Sequence, residues 1–402
     1  MVINISTPTT TTTTKFIYII YAIFNHTQRE RSYEQMKLIF TKSNLLKGVG
    51  IVLKAVPTRT TMSILECILI DATANEIKFT ANDMELGIET KIEGDIVEKG
   101  KIAIDAKIFS EIVRKLPDND ITIETDSNYN AIITCEKSMF NISGKAGDDF
   151  SYIPMIEKSK CITIPQFYLK EVINQTIFSI AANDNNKMMT GELFEVRDNE
   201  LKVVALDGHR IAIRTIKLDG KADDIKVVVP GKTLNEISKI LSNDVDAIVN
   251  IYFTNNHILF EFDNTIVVSR LIEGEYFKIN QMLSSDYETK IFVNKKEFLN
   301  CIDRATLLIK ENDKKPIIIN VTDGSLELKV NSAIGSLNEN IDISKEGKDI
   351  MIGFNPKFLI DALRVIEDEE ISIYLVNSKA PCFIKDKEEK YIYLILPVNF
   401  NA

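Results

Sequence analysis

Apolar residues recur at helical spacing in six stretches of the chain. Within each stretch they follow the i, i+3, i+4, i+7 pattern of an amphipathic helix with one buried face. The first three stretches cover 45–53, 169–177 and 298–305. The other three cover 108–116, 234–241 and 359–366, and an Asp or Pro follows each of them closely. The pattern therefore predicts six helices, arranged as three pairs.

Segments of alternating apolar and polar residues lie between these helices. The first predicted helix leads into a strand pair, 64–70 and 77–79, and further strands follow at 87–92 and 102–104. After each second helix comes a closing strand, at 121–124, 249–253 and 371–375. This order predicts an α+β fold in which a unit of one helix and several antiparallel strands is used six times, with the sheets covering the helices on one face.

The chain also aligns with itself at domain-sized intervals. The segment beginning at Lys107 recurs at Lys232 and again at Lys357, each 125 residues after the last. Solenoid repeats have periods of roughly 20–50 residues, so this interval is that of a whole domain. We therefore predict three repeated domains: domain 1 over 36–160, domain 2 over 161–287 and domain 3 over 288–402.

Residues 1–35 do not belong to the repeat. A threonine run precedes the apolar stretch 16–24, which is too short to span a bilayer, since a spanning helix needs about 20 residues. We expect a disordered or non-native leader and exclude it from the fold.

Composition narrows the possible functions. The chain has 402 residues, 45% apolar and 26% charged, with a net charge of −10, which argues against a uniformly basic nucleic-acid binder. Five widely spaced cysteines indicate buried free thiols in a reducing cytoplasm. None of the three histidines has ligand spacing to another histidine or a cysteine, so no metal or cofactor is expected.

Basic residues nevertheless occupy matching positions in the repeat. Residues seven apart share one helix face, with a drift of only about 20°. The second helix of each domain carries such a pair, and so does the first helix of domain 1: Lys107 and Arg114, Lys232 and Lys239, Lys357 and Arg364, and Lys47 and Lys54. A basic stripe without an aromatic stacking platform suits contact with duplex phosphates that ignores sequence. The simpler alternative is that surface helices are rich in lysine. Glu111 and Glu236, which lie beside two of the pairs, weaken the argument for a basic stripe.

Four segments carry a resemblance to a known family. They are 205–212 (ALDGHRIA), 270–277 (RLIEGEYF), 352–355 (IGFN) and 394–398 (LILPV). Together with the triplication, they make the chain from Met36 onwards resemble the bacterial sliding clamp, the beta subunit of DNA polymerase III. The resemblance implies a homodimeric ring of three-domain subunits, with helices inside and sheets outside. It also implies a processivity factor without catalytic activity, which encircles duplex DNA and binds the replicative polymerase, the clamp loader and repair proteins through short peptides, with no membrane association.

The resemblance also assigns residues to three surfaces. It places a DNA-contacting arginine at Arg59. It places the dimer interface in the segments that contain Phe140, Ile142, Leu307 and Leu308. The residues that match the peptide-binding groove between domains 2 and 3 are Met189, Leu206, Gly208, His209, Arg210, Ile211, Phe277, Met282, Asn355, Phe358, Pro381, Leu394, Leu396, Pro397 and Val398.

A local break in the repeat gives independent support for a functional site in domain 2. Aligning Asp83 with Asp207, and Ile88 with Ile213, predicts one extra residue in domain 2, at the segment 207–211. The groove also departs from the family's usual residues. Gln281 and Asn186 stand where arginines are common, 276–279 replaces a Phe-Pro-Asp-Tyr run, and 396–399 replaces a Met-Pro-Met-Arg ending.

Two other functional classes compete with the clamp. An enzyme would use Asp207 and His209, with Asp83 or Asp184, as a hydrolytic or metal centre, but no nucleophile or glycine-rich phosphate loop accompanies them. An Asp-Gly turn between two strands explains Asp207 more simply. A protein-interaction scaffold that never touches DNA would not need aligned basic helix faces.

Overall fold

The computed structural model describes residues 35–182, 185–283, 286–310, 315–386, 388 and 390–400. The predicted leader, apart from Gln35, lies outside these residues, and so does Asp184. The chain forms two compact units. The first unit runs to Met155 and includes Asn264–Val268, and the second unit comprises Ile156–Asp263 and Ser269–Ala402.

Apart from Asn264–Val268, the elements of the first unit belong to domain 1. In chain order they are β1 (Lys37–Thr41), α1 (Lys42–Val52), β2 (Cys67–Asp71), β3 (Ile77–Asn82), β4 (Leu86–Ile92), β5 (Asp95–Glu98), β6 (Lys101–Asp105), α2 (Ala106–Lys115), β7 (Asp120–Thr125), β8 (Asn130–Cys135) and β9 (Ser138–Ala146).

Domains 2 and 3 repeat the same order. Domain 2 contains β10 (Lys160–Pro165), α3 (Gln166–Thr176), β11 (Gly191–Arg197), β12 (Glu200–Leu206), β13 (Arg210–Lys217), β14 (Ile225–Pro230), α4 (Gly231–Ile240), β15 (Ile248–Phe253), β16 (His257–Phe262) and β17 (Thr265–Arg270). Domain 3 contains β18 (Thr289–Asn294), α5 (Lys295–Thr306), β19 (Ile317–Thr322), β20 (Ser325–Ser332), β21 (Gly335–Gly347), β22 (Ile350–Phe354), α6 (Pro356–Val365), β23 (Glu370–Leu375), β24 (Cys382–Lys385) and β25 (Tyr391–Ile395).

The order strand, helix, three strands therefore occurs six times in the described chain, with β5 as an addition. The α+β class, the six helices and the twofold use of one unit in each domain are confirmed. Two details of the prediction were wrong. A strand precedes the first helix of each domain, where the pattern placed the helix first. The predicted strand 64–70 begins only at Cys67, because Ser63–Glu66 forms a 3₁₀ turn in which Leu65 alone is buried.

Side-chain caps fix where four of the helices begin. The Asp105 carboxylate accepts a hydrogen bond from the Ile108 N–H at 2.8 Å and starts α2. Asn294 and Asn355 cap α5 and α6 in the same way, and Thr41 caps α1. Each cap satisfies an N–H that the first turn of a helix leaves without a partner. The apolar stripe of each helix then packs into the core, as Leu359 and Leu363 of α6 do.

Antiparallel ladders connect the strands within each unit. The first unit contains the order β4-β3-β2-β6-β9-β8-β7-β1-β5. The second contains β14-β11-β12-β13-β25-β24-β23-β18-β21-β20-β19-β22, together with the ladders that join β10 to β15 and β15 to β16. Domain 2 meets domain 3 through the ladder of β13 and β25, which runs from the Arg210 and Ile395 pair to the Arg214 and Tyr391 pair. Among the described residues, no helix is long and apolar enough to cross a membrane.

Candidate functional site

The hairpin turn between β12 and β13 begins the candidate site. The Asp207 Oδ1 atom accepts hydrogen bonds from the N–H groups of His209 and Arg210, at 3.0 and 3.1 Å. Gly208 has φ +83°, a conformation that glycine adopts without steric cost. The turn is thus specified locally, by an aspartate that holds it closed and a glycine at its left-handed position.

Arg210 lies at the centre of a buried network that joins domains 2 and 3. Its side chain is 6% exposed and donates to Asp207 Oδ2 at 2.8 Å, to Asp361 Oδ2 at 2.7 Å and to the Phe178 carbonyl oxygen. The guanidinium carbon also lies 4.5 Å from the ring centre of Phe358. Burial alone would lower the pKa of Arg210, but Tyr393 and the two carboxylates outweigh it and raise the pKa, so the side chain stays charged.

The chain terminus completes the other wall of the site. The Leu396 N–H donates to the His209 carbonyl oxygen at 2.9 Å and extends the ladder of β13 and β25 by one bond. The His209 ring stacks on Phe358, with ring centres 6.2 Å apart. Beyond it, the Val398 N–H donates to the Gly353 carbonyl oxygen at 2.8 Å. Backbone hydrogen bonds therefore hold the tail beside the turn.

These elements enclose a mostly apolar cleft of about 490 Å³. Leu206, Ile211 and Leu394 are buried at 4–5% exposure, while Met282 and Leu396 are 48% and 37% exposed. The residues that line it are Met189, Leu206, Gly208, His209, Arg210, Ile211, Phe277, Gln281, Met282, Pro381, Leu394 and Leu396. A concave apolar surface with a few polar groups is the usual form of a ligand site.

Eleven of the fifteen groove residues proposed from the sequence line this cleft, and four do not. Asn355 caps α6 and does not line the cleft. Phe358 lies behind His209 and Arg210. Pro397 and Val398 belong to the tail beyond Leu396. Gln281, noted in the sequence only as a departure from the family, does line the cleft.

The predicted extra residue in this hairpin was wrong. In domain 1, Asn82 pairs with Gly87 and encloses the four residues 83–86. In domain 2, Leu206 pairs with Ile211 and encloses the four residues 207–210. Both hairpins have the same length, so the difference between them lies in the residues and not in an insertion.

The predicted DNA-facing residues lie on the helices and on the segment that follows α1. Eight of the nine are exposed and Lys54 is half-buried. Acidic neighbours pair with several of them: Arg114 with Glu111, Lys239 with Glu236 at 2.7 Å, and Arg364 with Asp303 at 3.6 Å. The second helices thus present basic groups at matching positions, with part of their charge neutralised locally.

Comparison with known proteins gives the family. Models of the DNA polymerase III beta subunit match in chain order: the N-terminal domain at residues 36–154, the central domain at 163–278 and the C-terminal domain at 280–399. The chain belongs to the bacterial sliding-clamp family. As a member of that family it is a DNA polymerase processivity factor.

Individual relatives agree with the family match. The beta sliding clamp of Bacillus subtilis strain 168 is 38% identical over 376 residues, covering 90% of this chain and 99% of that protein. A crystal structure from Eubacterium rectale ATCC 33656, assigned as a DNA polymerase III beta subunit, is 72% identical with a TM-score of 0.88 and covers 91% of this chain and all of its own. The Bacillus subtilis sliding-clamp structure is 36% identical, with the same TM-score and the same two coverages.

The predicted interface residues of the clamp chain lie beside two open strand edges. In the first unit, residues 138–143 of β9, including Phe140 and Ile142, pair with β8 and have no second partner strand among the described residues. In the second unit, residues 335–342 of β21 pair with β20 and likewise have no second partner strand among the described residues. The Leu308 side chain lies next to Gly335 at the start of this edge, and Leu307 is 78% exposed.

Sequence reasoning missed the β21 edge. Its signal was present, because Leu337 and Ile341 are separated by polar residues in a strand-like alternation, but alternation does not show which strand lacks a partner.

The enzyme alternative finds no support in the site. Both Asp207 oxygens are engaged in holding the turn and Arg210. Within the described part of the chain, no group of three or more His, Cys, Asp or Glu residues is placed to hold a metal ion. Four cysteines are buried free thiols as expected, whereas Cys161 is exposed because it lies on the outward face of β10.

Proposed function

We propose that this processivity factor acts as a homodimeric ring that encircles duplex DNA, slides along it without sequence specificity and tethers the replicative polymerase and other partners through the cleft. The protein has no catalytic activity of its own and works in the cytoplasm, where its polymerase copies DNA. The family match carries the processivity role, and the geometry of the described residues supports the three surfaces that the ring needs.

The basic helix faces support the contact with DNA. Lys107, Lys232 and Lys357 are exposed at the same position of α2, α4 and α6, although the whole chain carries a charge of −10. Lysine and arginine contacts to phosphates attract DNA and carry no base information. Such contacts suit a protein that must slide.

The cleft supports the binding of short peptides from the polymerase, the clamp loader and repair proteins. Its floor is apolar, and its rim carries the flexible side chains of Met189 and Met282, which allow one surface to fit several sequences. Arg210 is fully engaged in the network beneath. With Gln281 on the rim, we expect a peptide to bind mainly through its apolar side chains.

The two open edges support a head-to-tail dimer. Pairing β9 of one subunit with β21 of the other would continue the sheet across the interface and cover both edges. The β9 edge is apolar at Met139 and Phe140, which are 73% and 39% exposed, and Leu307 and Leu308 lie beside the β21 edge.

Retention on DNA tests the ring. The protein loaded on circular duplex DNA should stay bound at high salt and leave DNA that has been made linear, because a topological link does not depend on counterions. Lys232→Glu with Lys239→Glu should weaken loading or retention while sedimentation still shows a dimer. The matched control is Lys217→Glu with Lys226→Glu, two exposed lysines on strands of the same domain. Equal loss from circular and linear DNA at high salt would rule out the ring.

Removal of the tail tests the cleft. A chain that ends at Ile395 loses Leu396 and the backbone bond to His209, so we expect peptide binding to be abolished while the dimer survives. A chain that ends at Phe400 serves as the control. Fluorescence anisotropy with a labelled polymerase peptide measures the binding, and retained affinity in the shorter chain would contradict the assignment.

A further inference from the structure

A row of paired residues leads from the peptide groove across the sheet. Leu394 of β25, which lines the groove, pairs with Phe383 of β24, and Phe383 pairs in turn with Tyr374 of β23. The next pair joins Tyr374 to Lys290 of β18. All four strands belong to the second unit. Neighbouring strands lie about 4.8 Å apart, so three steps place Lys290 roughly 14 Å from the groove.

This row lies on the face of the sheet that points away from the helices. Ile291 and Ile373 belong to the core cluster that includes residues of α5 and α6. Side chains alternate along a strand, so Lys290 and Tyr374 point to the opposite face. Tyr374 packs there against the cluster that contains Leu394 of the groove. A ligand on this face leaves the helix faces free for DNA.

Basic and aromatic side chains gather at the far end of the row. The Lys290 Nζ atom lies 4.5 Å from the ring centre of Phe292 and 5.0 Å from that of Tyr374. The Lys385 Nζ atom lies 4.9 Å from the same Tyr374 ring. Tyr287, which is 46% exposed, packs edge-on against Tyr374 with ring centres 5.2 Å apart. We call these five residues the Lys290 patch. Tyrosines are enriched among the residues that dominate binding at protein interfaces.

The charge of Lys290 is not neutralised locally. Within the described part of the chain Lys290 forms no ion pair, although Glu346 lies opposite it on β21. Lys329, a lysine of similar burial on β20, does pair with a carboxylate, that of Glu327 at 2.7 Å. An ammonium group has three hydrogen-bond donors, and bonds from it to a carboxylate are among the stronger ones in proteins. Lys290 therefore retains donors for an incoming carboxylate.

We propose that the Lys290 patch binds an aspartate or glutamate side chain in the segment that flanks the groove-bound peptide. This inference rests on the peptide binding proposed above. An extended chain advances about 3.3 Å per residue, so the acidic residue lies about four or five positions beyond the one that contacts Leu394. The whole chain carries a charge of −10 and repels acidic peptides in general. The patch thus adds to the apolar groove a preference for partners with an acidic flank.

Extended peptides test this preference. The labelled polymerase peptide is lengthened at either end by Gly-Gly-Gly-Glu-Glu or, as the neutral match, by Gly-Gly-Gly-Gln-Gln, and fluorescence anisotropy measures the affinities. At one end the glutamate version should bind about fivefold tighter than the glutamine version, and this gain should shrink at high salt. Equal affinities at both ends would overturn the proposal. If the unextended peptide also failed to bind, the groove function would fall with it, so the two failures are distinguishable.

Lys290→Gln assigns the preference to the patch. The substitution removes an ammonium that has no ion pair among the described residues, so the melting temperature and the affinity for the unextended peptide should not change. The fivefold preference for glutamate should disappear. Lys329→Gln is the matched control and should keep it. A full preference in Lys290→Gln would overturn the proposal.

A short labelled oligothymidylate tests nucleic acid as the alternative occupant. Phosphate groups are anionic like carboxylates, so a nucleic-acid site on this face would also use Lys290. We expect the affinity for the oligothymidylate to be the same in the native protein and in Lys290→Gln. If Lys290→Gln weakened binding of the oligothymidylate and left the glutamate preference intact, the patch would be a nucleic-acid site and the proposal would be wrong.

Discussion

Two hairpin turns, one in each unit, have the same length and the same closing aspartate, but they differ in their other side chains. Asp83 Oδ1 accepts from the Leu86 N–H at 2.7 Å, just as Asp207 Oδ1 accepts from the Arg210 N–H at 3.1 Å. The left-handed position is Met84 in one turn, with φ 76°, and glycine in the other. The fourth residue is a core leucine in domain 1 and the buried arginine of the groove in domain 2. The repeat therefore supplied the turn, and one replacement within it gave domain 2 a network that reaches domain 3.

At a second pair of equivalent positions, domain 2 again has a charged residue type where domain 1 has an apolar residue. Ile68 of β2 pairs with Ile104, and the equivalent residue in β11 is Glu192, which pairs with Val229. Both side chains are fully buried. Neither Glu192 carboxylate oxygen has a hydrogen-bond partner among the described residues. Burial raises the pKa of Glu192 to about 8, so the carboxyl group is mostly protonated at neutral pH.

Giving domain 2 the leucine of domain 1 should have the largest effect. Arg210→Leu leaves Asp207 and Asp361 without their cation and the Phe178 carbonyl without its donor. Removing one partner of a buried ion pair costs about 3–5 kcal/mol, so the free energy of unfolding should fall by that amount and peptide affinity should be lost. Denaturant unfolding and fluorescence anisotropy measure the two effects.

An exposed arginine provides the control for this substitution. Arg197→Leu removes a side chain that is 75% exposed, and we expect a change within about 0.5 kcal/mol. If Arg210→Leu kept full stability and peptide affinity, the network would not be what distinguishes the two turns.

The sequence predicted the periodic parts of this molecule and not the replacements within them. The helix faces of α1 to α6 follow from apolar spacing, because a buried stripe repeats every turn. The supposed insertion at 207–211 was wrong because Ile88 and Ile213 are both apolar strand residues, and apolar identity alone does not fix the register of a hairpin.

The contacts that make the site were beyond the sequence pattern. Arg210 and Asp361 are 151 residues apart, and nothing local in either segment predicts their hydrogen bond. Phe358 was placed in the groove by resemblance, yet it supports the site from behind, because the His209 ring covers it. Such tertiary neighbours are set by how domains 2 and 3 pack, which periodicity does not describe.

Restoring the isoleucine of domain 1 at Glu192 should have an intermediate, pH-dependent effect. The folded-state pKa of about 8 lies above the ordinary value of 4.5. Between these values the unfolded chain has released the proton while the folded chain keeps it, so stability falls as pH rises. Glu192→Ile and Glu192→Gln lack this group, and their advantage over the native protein should grow by roughly 2–3 kcal/mol from pH 5.5 to 7.5. Denaturant unfolding across this range measures it, and a difference that did not change with pH would be contrary to a buried neutral carboxyl.

Exchanging the residues at the left-handed positions should give the smallest effect. No atom lies within 4 Å of a Cβ built on Gly208, so Gly208→Ala adds only the conformational cost of φ +83°, about 1 kcal/mol. In domain 1, Met84→Gly should remove the same strain, at the expense of a more flexible unfolded chain, and leave stability within about 0.5 kcal/mol of the native value. Thermal unfolding of both variants compares the two turns directly. A loss of several kcal/mol in Gly208→Ala would mean that Gly208 stabilises the protein through more than its backbone angle. The two turns would then not be equivalent at their left-handed positions.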